Sequence, residues 1–364
     1  MNILKKIKKN QDSMISDIDI IMNRLTNIET MLEGRVSELS KGKTTGNPLL
    51  DNPEIMARCY GVCLDKTQGP SAKLIRIGNQ KLHETMPVHK KIEQAIIDGQ
   101  NMVKVFPFYQ AQFFHNDKYY WLVSDQSLNG FEIHPWFIYK NNIVPQLIGS
   151  FKASIDKKGK LSSTPPINGV KYACSLTRDE FRKAARTHGD DWYQQSFIAR
   201  SAILLLYMIE RAEIDPLNDP DNNSFHQIND LFTGKWEFID GINILDHKPF
   251  ICFDPLLFAD DTTTHYHGLG VTLPNQDGWV NSILISKYGM FPVATVSARD
   301  KSLFKSIYWE NKGWRVLCSG GNLLNGAHDG LAAFSADYAS SRAVVYVGSR
   351  LCKMGEIVKE GEIA

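Results

Sequence analysis

Apolar residues near the N-terminus recur at alternating steps of three and four. Counting from Leu4, the period holds to Leu32, with Leu39 the last assignable core position. The first core register holds Leu4, Gln11, Ile18, Leu25, Leu32 and Leu39; the second holds Ile7, Met14, Ile21, Ile28 and Arg35. A 3.5-residue repeat of this length predicts a coiled coil over residues 1–40. Leu or Ile in one register facing Ile in the other favours three or four strands over two, and the expectation is a parallel homotrimer. Gln11, inside the seam, would set register and copy number. At 1.5 Å per residue the rod would be roughly 50 Å long. Gly34 and Arg35 weaken the seam near its end.

Residues 41–56 lose the period and are rich in Gly, Pro, Ser, Thr and Asn, which predicts a linker. From Cys59 onward the pattern turns to short strand-like runs. The expected organisation is a small β-rich segment over 57–105, a loop-rich domain over 106–353 and a tail over 354–364. Asn116-Asp117, between two apolar runs, predicts a hairpin, and PQLIGSFKASI reads as a further strand pair. Two helices stand out. SLTRDEFRKAARTHG offers Thr177 as N-cap, Glu180 at the capping-box position and Gly189 as a stop. DWYQQSFIARSAILLLYMIERA offers a helix that buries one face through Phe197, Ala202, Leu205, Leu206 and Ile209. Beyond Pro216, turn residues separate short apolar pieces and loops are expected to dominate, with the aromatic rings between Asp215 and Asp277 anchoring irregular backbone.

Composition narrows the function. Forty-one Lys+Arg against 40 Asp+Glu leave a net charge of +1, so no bulk attraction to nucleic acid is expected. The longest apolar run, near Ala202 to Met208, is far short of the ~20 residues of a membrane span. Lys5 to Lys9 resemble a signal-peptide start, but polar residues follow where the apolar stretch belongs, so the chain is expected to be made and kept in a cytoplasm. The cysteines, Cys59, Cys63, Cys174, Cys252, Cys318 and Cys352, are scattered as in a reduced core.

Candidate chemistry is sparse. His265 and His267 beside Asp260 and Asp261 form the densest possible metal cluster, without an interpretable further ligand. Asp254, Asp260 and Asp261 offer oxygen to calcium but without EF-hand spacing. His83 and His89 fit no ligand spacing. No nucleophile elbow, phosphate loop or zincin motif occurs. SGGNLLNG, around Gly320, Gly321 and Gly326, reads as tight turns.

Several segments, in their order along the chain, carry a resemblance: YGVCLDKTQGPSAKLIRIG (60–78), KVFPFYQAQFF (104–114), LNGFEIHPWF (128–137), GSFKAS (149–154), SLTRDEFRKAARTHGDDWYQQSF (175–197), KWEFIDGINI (235–244) and GWRVLCSGGNLLNGAHDGLAAF with VGSRLC (313–352). Over roughly residues 57–353 the chain resembles bacteriophage fibre and adhesin proteins. These end in a C-type-lectin-like domain of the formylglycine-generating-enzyme type, as in phage tropism determinants and targets of diversity-generating retroelements.

The resemblance implies an α+β architecture, a trimeric coiled coil followed by a loop-rich lectin-like domain. It implies a scaffold at Trp236, Asp240, Gly241, Trp314, Arg315, Gly320, Gly321, Gly330, Gly348, Ser349 and Arg350. Ligand-facing side chains would be Asn322, Leu323, Asn325, His328, Ser335, Asp337, Tyr338, Ser340, Arg342 and Tyr346, a paratope-like mixture. The oxidases of this fold need cysteines shortly after the Gly-Gly turn, and LLNGAHDG has none. The iron-dependent sulfoxide synthases need a His-rich triad, and no such pattern is visible.

The expectation is therefore a virion protein without enzymatic activity, cofactor or metal, assembled in the host cytoplasm. Its partners would be two further copies of itself, other virion proteins through the N-terminal region, and a host-surface receptor, glycan or protein. Neither nucleic acid nor membrane insertion is expected. The alternative is a structural component, a head fibre, collar or decoration protein, whose lectin-like domain binds other particle proteins.

Overall fold

The computed structural model describes residues 44–165, 172–221, 224–321 and 330–357. The seam positions Leu4, Ile7, Gln11, Met14, Ile18, Ile21, Leu25, Ile28 and Leu32 lie outside them, as do Asn322, Leu323, Asn325 and His328. The chain divides into two units after Asp51. In the first, Asp51 closes a turn by accepting the amides of Thr45 and Gly46 at 2.7 and 2.9 Å. The second begins within the segment expected as linker. Asn52 caps helix α1 (Pro53–Met56) by accepting the amides of Glu54 and Ile55, and Pro53 opens the helix where a missing N–H costs nothing.

The second unit is α+β, mostly strand with few helices. Its first strands are β1 (Tyr60–Asp65) and β2 (Leu74–Gly78); helix α2 (Gln80–Thr85) follows, then β3 (Ile92–Ile97), β4 (Gln100–Val105), β5 (Tyr109–His115), β6 (Lys118–Ser124) and β7 (Glu132–Ile133). One antiparallel sheet has the order β2-β1-β6-β5-β7. Asn116 and Asp117, with φ of 48° and 57°, turn β5 into β6 as the sequence predicts, since both positions need the left-handed region that Asn and Asp tolerate. β8 (Ile138–Tyr139) and β9 (Asn142–Ile143) make a small hairpin.

A second sheet joins distant parts of the chain. It contains β10 (Gln146–Gly149), β13 (Trp192–Gln194) and β25 (Leu351–Met354) in the order β13-β25-β10-β4-β3. Two expectations change here. PQLIGSFKASI is no strand pair: β10 pairs β4 and β25, whereas β11 (Ser154–Ile155) pairs β12 (Leu161–Ser162). Nor does a boundary fall at residue 105, because β4 hydrogen-bonds β10 and one core takes in Tyr60, Val105, Ile203 and Phe334 alike. Pro107 breaks the apolar run, and β4 and β5 enter different sheets.

Helix α3 (Arg178–Arg186) begins with the expected capping box. The Thr177 hydroxyl accepts the Glu180 amide and the Glu180 carboxylate accepts the Thr177 amide. Helix α4 (Phe197–Arg211) differs from expectation: every residue from Phe197 to Ile209 is buried, where one buried face was predicted. It lies against β1 and β6 on one side and the third sheet on another, so its all-round apolar surface has no solvent face to spare.

The third sheet also corrects the loop-dominated expectation beyond Pro216. After the small hairpin β14 (Ser224–Phe225) and β15 (Ile228–Asn229) comes β16 (Trp236–Leu245), buried at every position but its last. Its lack of polar-apolar alternation, which hid it in the sequence, follows from cover on both faces. β17 (Lys248–Ile251), β18 (His267–Gly268), β19 (Gly278–Ser286), β20 (Gly289–Val296), β21 (Ile307–Trp309), β22 (Trp314–Gly320) and β23 (Phe334–Ser335) complete the order β18-β17-β16-β22-β23-β21-β19-β20. β24 (Val347–Gly348) runs parallel beside the start of β16.

Candidate binding face

The face is built on β16 and β22, and charged side chains hold these strands from beneath. A bulge between Ile239 and Asn243 breaks the β16–β22 ladder. Arg178, fully buried at the first turn of α3, fills it by donating to the carbonyls of Ile239 and Ile242 at 3.3 and 2.6 Å. Asp240 and Asp260 balance Arg178 and Arg182, with Arg182 bidentate on Asp240 at 2.7 and 3.0 Å. Burial works to raise the Asp260 pKa, but the two guanidinium groups outweigh it and hold it below the usual carboxylate range.

A second buried cluster surrounds Glu237, one residue into β16. Arg350 donates from Nε to its Oε1 at 3.0 Å, places Nη2 2.9 Å from the same oxygen as an ion pair, and donates to the carbonyls of Gly149 and Asn229. Arg200 of α4 comes to 3.7 Å, an ion pair without a hydrogen bond. Lys152 donates to the carbonyls of Thr233 and Lys235. Burial lowers the pKa of Lys152 to about 8 and of Arg200 to about 10. Burial opposes the charge on Glu237, yet Arg350, Lys152 and Arg200 prevail and its pKa is lowered. This cluster ties β10, α4, β16 and the start of β25 together beneath Gly320.

Above this scaffold, residues 336–346 cross the surface with their backbone fixed at intervals. Ala336 donates to the Trp309 carbonyl, the Tyr338 and Val344 carbonyls accept from Val316 and Ser175, and the Tyr346 carbonyl accepts from Trp236. Lys235 reaches across to the Val345 carbonyl at 2.6 Å. Asp337, Ser341, Arg342 and Ala343 are exposed between these ties, whereas Val344 is buried and Tyr338 packs against the core. Val345 is 65% exposed and Tyr346 36%. The Tyr338 and Tyr346 hydroxyls share a 2.7 Å hydrogen bond, with ring centroids 6.5 Å apart. Partial burial and that bond raise the Tyr338 pKa, so the phenol stays protonated and available for hydrogen bonding. Ser340 donates to Asp261 at 2.5 Å, Asp337 accepts from Asn311 at 3.2 Å, and Arg342 is exposed.

Of the ligand-facing residues implied by the resemblance, the structure thus brings Asp337, Tyr338, Ser340, Arg342 and Tyr346 to one surface segment. Ser335 is corrected: it is 3% exposed, paired with Cys318 across β22 and β23, and faces no solvent. Asn322, Leu323, Asn325 and His328 lie outside the described residues. The sequence reading missed Val345 on this segment, and Asn311, Asp261 and Lys235, which reach it from other segments. It also missed Glu237, Arg200 and Lys152; an acidic residue inside the apolar run WEFID was the available signal. Gly241 (φ 68°) abuts the Phe258 ring, and a Cβ on Gly330 would sit 2.1 Å from the Ser306 hydroxyl.

The thiols are poorly placed for chemistry. Cys318 and Cys352 are fully buried and burial raises both pKa values, the reverse of what a thiolate nucleophile needs. All six cysteines are free. The three aspartates considered for calcium are spent separately: Asp254 caps the turn at Leu256, Asp260 pairs with the arginines, and Asp261 accepts from Ser340. Among the described residues, no group of three or more His, Cys, Asp and Glu is arranged to hold a metal. No family model matches the chain, and no curated protein matches it.

Proposed function

We propose that the protein is a fibre or adhesin of a bacteriophage particle, trimerised by its N-terminal heptads, which binds a host-surface receptor through the 337–346 face. The observation that carries this reading is the exposure of Val345, Tyr346 and Arg342 on a segment whose backbone is bonded into buried strands. Aromatic area with few rotatable bonds, beside adaptable polar groups, is the composition of protein and glycan recognition surfaces, and a fixed backbone lowers the ordering cost of binding. Three copies on one rod would multiply weak contacts through effective concentration. The near-neutral net charge suits recognition by shape and hydrogen bonding over bulk attraction.

Two measurements test it. Mass photometry of the whole chain and of residues 52–364 is expected to give a trimer and a monomer; two monomers would remove the rod. Particles carrying Tyr346→Ala with Arg342→Ala are expected to assemble normally and lose adsorption to host cells. Normal adsorption would sink the receptor-binding assignment.

A second reading, a structural particle component, has its own supporting observation. β3 is an edge strand with Ile96 76% exposed, and beside it Ile97, Phe106, Leu147 and Ile357 line a groove of about 650 Å³. An open apolar edge invites pairing with another chain. Ile96→Asp would then block incorporation into particles, an effect the receptor-binding reading does not require.

A further inference from the structure

Four separate segments converge on a cavity of about 320 Å³ that shares no residue with the 337–346 face. They are the β7 region at Glu132 and Ile133, the β8–β9 turn at Tyr139 to Asn141, the exit of β17 at Phe253 and Asp254, and the β19–β20 turn at Lys287 and Tyr288. The walls are aromatic: Phe253 and Tyr288 lie with centroids 5.1 Å apart, and Tyr139 stands among the lining residues. The rim is polar and charge-balanced. Lys287 pairs with Glu132 at 2.9 Å, leaving Asp254 and Lys140 as one further charge of each sign. Asp254 uses Oδ1 to hold the Leu256 amide, and Oδ2 takes no hydrogen bond from the described residues.

These features select among ligand classes. A balanced rim gives neither a phosphate nor a carboxylate ligand a net attraction. A quaternary ammonium ion would need open ring faces, but Lys140 lies 5.0 Å over Tyr139 and Lys287 5.5 Å over Tyr288, and both would repel it. The Phe253 ring carries no such lysine; it packs on Tyr288 and His267 at centroid distances of 5.1 and 5.6 Å, and the apolar surface it contributes to the lining suits the C–H surface of a pyranose. Asp254, Asn141 and the two ammonium groups supply acceptors and donors for hydroxyls around it. The volume lies at the small end of ligand pockets, the size for one or two sugar rings.

We infer that this cavity is a binding site for a neutral saccharide, independent of the 337–346 face. For a ligand of about a dozen non-hydrogen atoms, ordinary ligand efficiency corresponds to a Kd of ~1 mM. The test uses the full chain with labelled isoleucine methyl groups, titrated with methyl glycosides of glucose, galactose, mannose and N-acetylglucosamine. Saturable shifts of the Ile133 and Ile138 methyls are expected with at least one of them, weakened about tenfold or more by Phe253→Ala and by Asp254→Asn. The wild-type shifts locate the site even if one variant folds poorly. Silence at Ile133 and Ile138 with every glycoside overturns the inference, as do larger shifts there with inorganic phosphate or choline. Tyr346→Ala is expected to leave this binding unchanged.

Discussion

The hydroxyls of Tyr338 and Tyr346 stand 2.7 Å apart, bridging the two ends of the surface segment they belong to. The pair braces the turn that carries Arg342 and Val345, so the outward side chains are displayed by a strut as well as by backbone ties. Val345, 65% exposed, contributes little to the core. Val345→Asp is therefore expected to shift stability by no more than ~0.5 kcal/mol, while a charge in the centre of the contact weakens receptor binding at least about tenfold. Thermal melting beside cell adsorption checks both halves, and unaltered adsorption would exclude Val345 from the contact.

Glu237 presents the opposite case, a side chain with no exposure and three cationic neighbours. Glu237→Gln removes the carboxylate shared by Lys152, Arg200 and Arg350 and leaves buried positive charge in excess, with Asp230 still acting on Lys152. The expected cost is about 3–5 kcal/mol, read as a lower urea midpoint. A loss below about 1 kcal/mol would mean that water or another group already neutralises the cluster.

The capped helix at Thr177 and the Asn116-Asp117 hairpin were legible in the sequence because local chemistry specifies them. Thr177 with Glu180, and two residues that accept positive φ, act within a few positions of themselves. What stayed hidden depends on distant partners. β16 reads as an irregular aromatic stretch because both its faces are covered, and α4 reads as amphipathic because Arg200 and Ser201 look like surface residues until Glu237 and the core enclose them. The candidate face was partly legible: Tyr338, Arg342 and Tyr346 are named by the resemblance, whereas Val345, an apolar residue, resembles core by type alone.

Gly61 tests the packing of the first sheet. A Cβ there would lie 2.0 Å from the Trp121 carbonyl oxygen and 2.8 Å from the Leu122 Cα, both backbone atoms that cannot turn aside. Gly61→Ala must part β1 from β6 and is expected to cost at least about 3 kcal/mol. Gly99→Ala, at a turn with φ 76° and nothing within 4 Å, should cost only the ~1–2 kcal/mol of left-handed backbone. Equal urea midpoints for the two variants would contradict the close β1–β6 approach.

Buried neutral histidines set an acid limit on stability. His89 lies in the core, its Nε2 donating to the Leu206 carbonyl at 2.9 Å and its Nδ1 accepting from the Tyr60 hydroxyl at 3.0 Å, while that hydroxyl accepts the Val88 amide. Burial lowers its pKa from 6.5 to about 4, and lowers that of His134 to about 3. Between pH 6.5 and 4 the unfolded chain therefore binds protons that the folded chain refuses, and stability falls as pH falls. Each histidine contributes up to ~1.4 kcal/mol per pH unit, about 3 kcal/mol for His89 by pH 4. Glu237 and Asp260, with lowered folded pKa values, add stability that is present above their unfolded range and lost as pH drops through the folded values. Urea midpoints of the wild type are expected to decline from pH 7 to pH 5, and His89→Gln to flatten that decline while lowering the midpoint at pH 7. A wild-type midpoint that stays level across this interval would contradict the neutral burial of both His89 and His134.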